Sequence, residues 1–326
     1  MNHTIAAPIG RSLAPRKVLA GMAFCALSVV ACFLLARRMT GASWPLERAN
    51  LGFVALAAVG YVASFGFRAL GWQRIFPGGE RPHSSRCLAA CGASAASGTV
   101  LPFRLDYVVK VATLKRLHGM PLGIDTIAVS INTLGLIDAV AMLPLAVAAL
   151  STADRVFFLP LLVVVLVCLG ATAVVLGGRR LLALIPVGRW ERASGVVHRV
   201  GESVADTRGT LVAGAFLFGC WTSRALGSTC LLMALGTGFT PRLAIVVLCL
   251  AAAAAVIPVT AGGAVAGMGA TAAILLALGT SKNVAINFSL ASATLLTLAA
   301  LTAALIGVTG SVVVGVRGRQ PLGVAP

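Results

Sequence analysis

The sequence predicts an all-α, polytopic integral membrane protein, with about six spanning helices and two re-entrant hairpins in an inverted repeat. Three observations predict it: the composition, the lengths of the apolar segments and the positions of the arginines. Of the 326 residues, 59% are hydrophobic and 11% are charged, and the mean hydropathy is +0.98. So little polar surface cannot cover a soluble globule. We expect residues 1–326 to form one transmembrane domain.

Six segments are long enough to cross a bilayer, which requires about 20 apolar residues. They are residues 18–36, 51–69, 124–150, 156–176, 211–235 and 284–314. The first segment follows basic residues, as the apolar part of a signal peptide does. Because Arg37-Arg38 follows it directly, without a small-x-small cleavage site, we expect an uncleaved first span.

Two further apolar stretches, 87–101 and 243–257, are too short to span comfortably, and each ends at a proline, Pro102 or Pro258. A backbone that breaks inside a membrane must line protein or water, because lipid offers its polar groups no partners. Paired breaks of this kind build the midplane sites of transporters. We interpret both stretches as re-entrant hairpins, although hydropathy alone also allows two full spans.

The arginines set the expected sides of the membrane. Loops 74–116 and 177–209 are rich in basic residues and should be cytoplasmic, whereas loops 151–155, 236–242 and 280–283 carry one basic residue each. With both hairpins returning to their side of entry, the N- and C-termini are cytoplasmic. The spans and the hairpin of the halves 18–150 and 156–314 then follow the same order, with every direction across the membrane reversed. The loop 37–48, with three arginines outside, is the exception.

The composition also excludes several function classes. The formal net charge of +17 comes from arginines between apolar spans, where they face the cytoplasmic leaflet, so we expect no nucleic-acid partner. The eight cysteines lie in or beside apolar stretches, and the four histidines have no paired spacing, so we expect no metal site. The glycine motif at 267–272 follows no strand, and no acidic residue follows Asp206, so no dinucleotide site is expected. We predict no cofactor and no enzymatic activity.

Charged residues at membrane depth are the candidate site, because each costs about 2.5 to 3.5 kcal/mol at a helix centre. They are Arg68, Arg104, Asp106, Lys110, Asp138 and Arg224. Arg224 and Asp138 lie deep in their spans and cannot reach a surface by snorkelling. Two interpretations stay open: Asp138 and Arg224 form a buried ion pair, or Arg224 binds a lipid phosphate. Arg68, nearer the end of its span, fits an interfacial anchor better than a ligand.

The first hairpin has the richer chemistry. Arg104 and Asp106 follow the break at Pro102, and Lys110 recurs about one helical turn later. An anionic headgroup entering from the cytoplasmic side would meet a basic lining there. A helix at the interface, whose cations are attracted to anionic lipid, is the alternative.

The second hairpin carries no charge from 243 to 281 and offers backbone groups instead. Gly262 and Gly263 could expose N–H groups at a helix start, where the dipole favours an anion. Gly263 and Gly267 also form a GxxxG pair, whose commoner role is close helix packing.

The run 101–110, Leu-Pro-Phe-Arg-Leu-Asp-Tyr-Val-Val-Lys, and the run 134–138, Leu-Gly-Leu-Ile-Asp, resemble the lysylphosphatidylglycerol synthase transmembrane or flippase-like family. The run 257–263 is similar to the second Pro-Gly-Gly signature of that family. The resemblance covers about 51–314. It implies that Pro102 and Arg104 match the start of a Pro-x-Arg-x-x-Glu-x-x-Arg run and that Asp138 matches a later span aspartate.

This chain departs from the family pattern at four positions. Tyr107 stands where the glutamate is expected, with Asp106 one position early, and Lys110 replaces the second arginine. Ala261 and Met268 replace a proline and a glutamate in the second signature. The bifunctional members of the family carry a soluble aminoacyl-transferase domain, but this chain ends twelve residues after 314, so the resemblance implies no synthase activity.

The sequence therefore predicts a multi-pass cell-membrane protein of the flippase or scramblase kind. Its cargo would be a lipid with a polar or anionic headgroup, or a polyprenyl-linked glycolipid, held by Arg104, Lys110 and Arg224. Two other classes stay open: a non-catalytic accessory subunit of a lipid- or envelope-glycan-modifying system, and a lipid-modifying membrane enzyme. The protein partner that we expect is either a second copy of this chain or an envelope-synthesis protein. Abundant alanine and glycine, with 22 arginines against 4 lysines, indicate a GC-rich bacterial genome.

Overall fold

The computed structural model describes residues 44–99, 105–118, 123–152, 155–183, 206–256 and 263–317, with single residues 23, 27, 30, 31, 34, 37, 38, 41, 101, 199 and 200. Most of the predicted first span, 18–36, lies outside the described residues. So do four predicted site or hairpin residues, Pro102, Arg104, Pro258 and Gly262.

The described chain is all-helical, as predicted. Its nine helices, in chain order, are α1 Leu51–Ile75, α2 Ser84–Gly98, α3 Asp106–His118, α4 Ile124–Ser151, α5 Arg155–Ala183, α6 Thr207–Ala234, α7 Pro241–Val256, α8 Gly263–Ala277 and α9 Lys282–Arg317. The predicted short stretches correspond to α2 and α7, and Gly263 is the first described residue of α8.

Four helices are long and apolar enough to cross a membrane: Leu51–Ile75, Ile124–Ser151, Arg155–Gly177 and Lys282–Val314. They confirm four of the six predicted spans and show a multi-pass membrane protein. The predicted span 211–235 lies within α6, which has 28 residues and is about 42 Å long. α6 is not among the four because its glycines, hydroxyl side chains and arginines lower its hydropathy. It packs against α1, α4, α7 and α9, so less of it needs to face lipid.

The centre of the bundle is the antiparallel pair α1 and α6. The Asn50 N–H at the start of α1 donates to the Ala234 carbonyl at the end of α6, and the Tyr61 and Ser228 hydroxyls lie 3.2 Å apart further along. Small residues permit this contact: a Cβ on Gly60 would lie 3.0 Å from the Ser223 carbonyl oxygen. Close backbone approach at small residues is the usual basis of helix association in membranes.

The contact between α2 and α9 is tighter still. A Cβ on Gly92 would lie 2.5 Å from the Ala300 carbonyl oxygen and would also overlap the backbone of Ala304. Gly307 presses in the same way against α2, where a Cβ would lie 2.6 Å from the Ser85 carbonyl oxygen. The short helix is thus fixed to a long one by a reciprocal pair of glycines.

Gly92→Val should destabilise the protein, because overpacking a close contact costs about 1 to 3 kcal/mol or more. Gly135→Ala is the matched control: Gly135 is exposed within α4 and a Cβ there would meet nothing within 4 Å. We expect the control to be neutral or slightly stabilising, since alanine is the better helix former. Thermal unfolding of both variants in detergent measures the difference. Equal midpoints would contradict the close packing of α2 on α9.

Two cavities lie at opposite ends of the bundle. One, of about 480 Å³, is lined by Arg81, just before α2, and by Thr126, at the start of α4. The other, of about 230 Å³, is lined by Leu235, after α6, and by Asn283, in α9. Within each pair of short helices the two members pack together, α2 on α3 and α7 on α8.

The helix starts recur along the chain at a nearly constant distance. From α1 to α6 the distance is 156 residues, from α2 to α7 it is 157, and from α4 to α9 it is 158. The contacts follow the same correspondence: α2 packs on α9 and α7 on α4, while α1 packs on α9 and α6 on α4. Every helix contact in this set has its counterpart in the other half.

Candidate functional site

The centre of the candidate site is Asp138, where α4 meets α1 and α6. One carboxylate oxygen accepts a hydrogen bond from the Arg68 Nη2 at 2.9 Å, and the other accepts one from the Trp221 Nε1 at 2.9 Å. The Arg68 and Asp138 side chains are 24% and 13% exposed. Both oxygens of a largely buried carboxylate thus have a donor, which is the condition for keeping such a charge inside a protein.

This geometry corrects one interpretation of the sequence. Asp138 pairs with Arg68 and not with Arg224. The reason is the antiparallel packing of α1 on α4, which places Arg68 beside Asp138 and, one turn along α1, places Trp72 beside Ser130. Depth in the membrane was readable from the sequence, whereas the helix face that carries Arg68 was not.

Arg224 has a different environment. Its guanidinium lies between two aromatic rings, 5.6 Å from the centroid of Phe65 and 5.5 Å from that of Trp221. Its Nε donates to the Ser64 Oγ at 3.3 Å. No carboxylate within the described ranges comes within ion-pair distance of it. The aromatic faces stabilise the cation by cation–π attraction and fix its orientation, but leave it without a counter-ion.

A lysine of the first predicted hairpin lies near the Asp138 pair, against α1. Lys110 in α3 is 6% exposed, and its Nζ lies 4.2 Å from the centroid of the Trp72 ring. Asp106 lies in the first turn of α3, where the helix dipole favours an acid, and packs against Gly98 at the end of α2. Lys110 is therefore buried against α1. Lys115 and Arg116 are exposed, as residues of an interfacial face would be.

Trp72 holds this part of the site in place. It is fully buried, its Nε1–H donates to the Ser130 Oγ at 3.1 Å, and its ring faces the Lys110 ammonium. The indole thus links α1, α3 and α4 with one hydrogen bond and one cation–π contact.

Ser130→Ala should lower stability by about 1 to 3 kcal/mol, because the buried Trp72 N–H would lose its acceptor. Ser289→Ala is the matched control, since its buried hydroxyl donates to the carbonyl of Ile286 in its own helix. Chemical or thermal unfolding in detergent should separate the two variants. Equal stability of the two would show that the hydrogen bond to Trp72 is unimportant.

The cavity of about 480 Å³ reaches two residues next to this centre. Its lining includes the basic residues Arg74, Arg81 and Arg199, the acids Glu80 and Asp206, and Ser130 and Ile137. Ser130 bonds to Trp72, and Ile137 directly precedes Asp138 in α4. A polar group entering at the basic end would therefore approach the Asp138 pair along α4.

Sequence reasoning missed five members of the site: Ser64, Phe65, Trp72, Ser130 and Trp221. A signal for two of them was present, because Phe65 and Trp221 each stand three residues before a partly buried arginine, and the two aromatic-x-x-Arg runs are 156 residues apart. This equals the distance between the starts of α1 and α6.

No group of three or more histidine, cysteine, aspartate or glutamate side chains that could hold a metal ion occurs among the residues that the structure describes. The six cysteines described are free thiols, most of them buried in helix contacts. The side chains of this site are accordingly suited to charge recognition and hydrogen bonding.

Comparison with known proteins agrees with the resemblance in the two signature runs. The family model described as lysylphosphatidylglycerol synthase TM region matches residues 17–304, which is most of the chain. Searches of curated proteins and of solved structures found no match. The match includes both pairs of short helices, all of α1, α4 and α6, and the arginines and aspartate of the central site. The chain belongs to the lysylphosphatidylglycerol synthase transmembrane-region family.

Proposed function

We propose that this protein is a lipid transporter of the flippase or scramblase kind. It moves a lipid with an anionic or polar headgroup, or a polyprenyl-linked glycolipid, between the leaflets of the cell membrane, and it performs no chemistry on that lipid. The observation that carries the proposal is Arg224: a cation in the middle of the bundle, oriented by two rings, with no carboxylate beside it in the described part of the chain.

An arginine at membrane depth costs about 2.5 to 3.5 kcal/mol on insertion scales and is rarely kept without a role. Its planar fork matches a phosphate group, which can accept two parallel hydrogen bonds. In Arg224 the Nε is engaged by Ser64, and no protein acceptor within the described residues engages the terminal amino groups. A phosphate-bearing headgroup would supply the missing charge.

The path to Arg224 is proposed from the symmetry of the fold. The recurring helix starts and paired contacts support two inverted halves, with α2–α3 and α7–α8 as re-entrant hairpins that open the site alternately to each side. The end with Arg74, Arg81 and Arg199 is assigned to the cytoplasm because of its charge, and the termini with it. The 480 Å³ cavity is then the cytoplasmic entrance.

The hairpin residues have assigned roles in this scheme. Lys110, against Trp72, provides a second positive charge along the path. Arg104, Pro102, Pro258 and Gly262 fall outside the described residues and keep their predicted roles at the two breaks. Gly263 opens α8, whose N-terminal N–H groups would face an anion.

The test is headgroup translocation by the purified protein in proteoliposomes. Labelled phosphatidylglycerol, phosphatidylethanolamine, phosphatidylcholine and a polyprenyl-phosphate sugar are compared with protein-free liposomes and with an unrelated membrane protein. We expect movement of at least one phosphate-bearing lipid and recovery of that lipid chemically unchanged. No movement of any of them by folded protein would favour an accessory subunit. A chemically altered lipid would favour an enzyme.

A further inference from the structure

Arg68 and Arg224 occupy the same position in the two halves of the protein. Each is the eighteenth residue of its helix, α1 or α6, and each follows an aromatic residue by three positions. Their surroundings also correspond. The Arg224 Nε donates to the Ser64 Oγ, four residues before Arg68, and the residue that corresponds to Ser64 in α6 is Cys220, four residues before Arg224. The antiparallel pair α1 and α6 therefore presents two related guanidinium groups.

The two sites differ in their counter-ion. α4 supplies Asp138 to Arg68. The corresponding position in α9, 158 residues further on, is Leu296, which packs partly buried against the cluster that contains Phe65. The second half cannot provide a substitute from α6 onward, because the sequence has no aspartate or glutamate after Asp206.

Asp138 also shows what such a site binds. Its two oxygens take one guanidinium and one indole N–H, the pattern that two non-bridging oxygens of a phosphodiester would accept. At Arg224 the ring that corresponds to Trp221 is Phe65, which offers a face and no donor. The anion at Arg224 must therefore rely on the guanidinium.

We propose that Arg68 and Arg224 are two equivalent anion sites, that Asp138 fills the first as a built-in ligand, and that the protein therefore binds a single phosphodiester headgroup, at Arg224. This inference rests on the proposed function in taking the ligand to be a lipid headgroup. It adds a second, latent anion site at Arg68 and explains why only one of the two symmetry-related arginines is paired with a carboxylate.

The test counts bound lipids. Purified protein in neutral detergent is mixed with phosphatidylglycerol, and the number retained above the phosphatidylcholine background is measured by native mass spectrometry. We expect one bound lipid for the wild type, two for Asp138→Asn, none for Arg224→Gln, and one for the combined variant Asp138→Asn/Arg224→Gln. Asparagine conserves the side-chain volume and keeps an acceptor for the Trp221 N–H, so Arg68 is freed with little other change. One lipid on folded Asp138→Asn, or one on folded Arg224→Gln, would overturn the proposal.

A second substitution tests the same idea without breaking the existing ion pair. Leu296→Glu places a carboxylate at the position in α9 that matches Asp138 and should abolish lipid binding, while Leu296→Gln should retain one lipid. Full binding by folded Leu296→Glu would overturn the proposal. Lipid binding is counted in detergent, without a bilayer. If the expected numbers of lipids bind but no lipid is transported, only the proposed function is contradicted. Transport with a single lipid on Asp138→Asn would contradict only the latent site.

Discussion

Arg224→Ala should abolish lipid translocation while the protein stays folded. The substitution removes a cation that makes one hydrogen bond, to Ser64, and two ring contacts, and that forms no ion pair with any described residue. Its structural contribution is therefore small, because no buried partner charge is left behind. Its contribution to transport is large, because the headgroup loses the cation that offsets desolvation of its phosphate. We expect at least a tenfold lower rate, equivalent to about 1.4 kcal/mol.

Two further variants test whether the loss of translocation is specific to the guanidinium of Arg224. Arg242→Ala removes the same charge from an exposed position at the start of α7 and should transport at the wild-type rate. Arg224→Lys retains the charge but loses the planar fork and should be severely impaired, since a lysine ammonium neither stacks in the same way nor donates in parallel. Wild-type transport by folded Arg224→Ala would remove the basis of the proposed site.

The second large effect is on stability. Asp138→Ala leaves the Arg68 guanidinium without its carboxylate and the Trp221 N–H without its acceptor. Breaking a buried pair from one side costs about 3 to 5 kcal/mol, and because Arg68 is 24% exposed we expect a loss toward the lower end. Thermal or denaturant unfolding in neutral detergent measures it.

The double variant Arg68→Met/Asp138→Leu provides the control. It replaces both charges by apolar groups of similar size and should be much more stable than Asp138→Ala, because no isolated charge is left inside the bundle. Added phosphatidylglycerol should stabilise Asp138→Ala more than the double variant, because the double variant keeps only the site at Arg224. Equal destabilisation of the single and double variants would show that packing, and not charge, determines the cost.

Hydropathy and breakers made most of the helical plan predictable. Long apolar runs must form helices in lipid, since the backbone has no other way to satisfy its polar groups. The short stretches before Pro102 and Pro258 were predictable as helices shorter than a full span, and they correspond to α2 and α7. The predicted segment 211–235 is also helical, within α6, although its glycines and arginines give it a lower hydropathy than the four apolar spans.

The partners in the site were less predictable. The position of a charge along its span gives its depth, but its partner depends on which face of the helix meets which neighbour. Asp138 and Arg224 are both deep, and yet the crossing of α1 and α4 assigns Asp138 to Arg68. The aromatic residues around Arg224 come from two helices that are far apart in the sequence. Only the correspondence of Phe65 and Trp221 across 156 residues indicated that they belong together.

The most direct test of this account is the initial rate of headgroup translocation in proteoliposomes, measured for the wild type, Arg224→Gln and Arg242→Gln at equal reconstituted protein. The lipid is the best-transported phosphate-bearing substrate of the wild type. We expect transport by the wild type and by Arg242→Gln, and loss of transport by Arg224→Gln. Equal rates for all three proteins, each confirmed as folded, would contradict it.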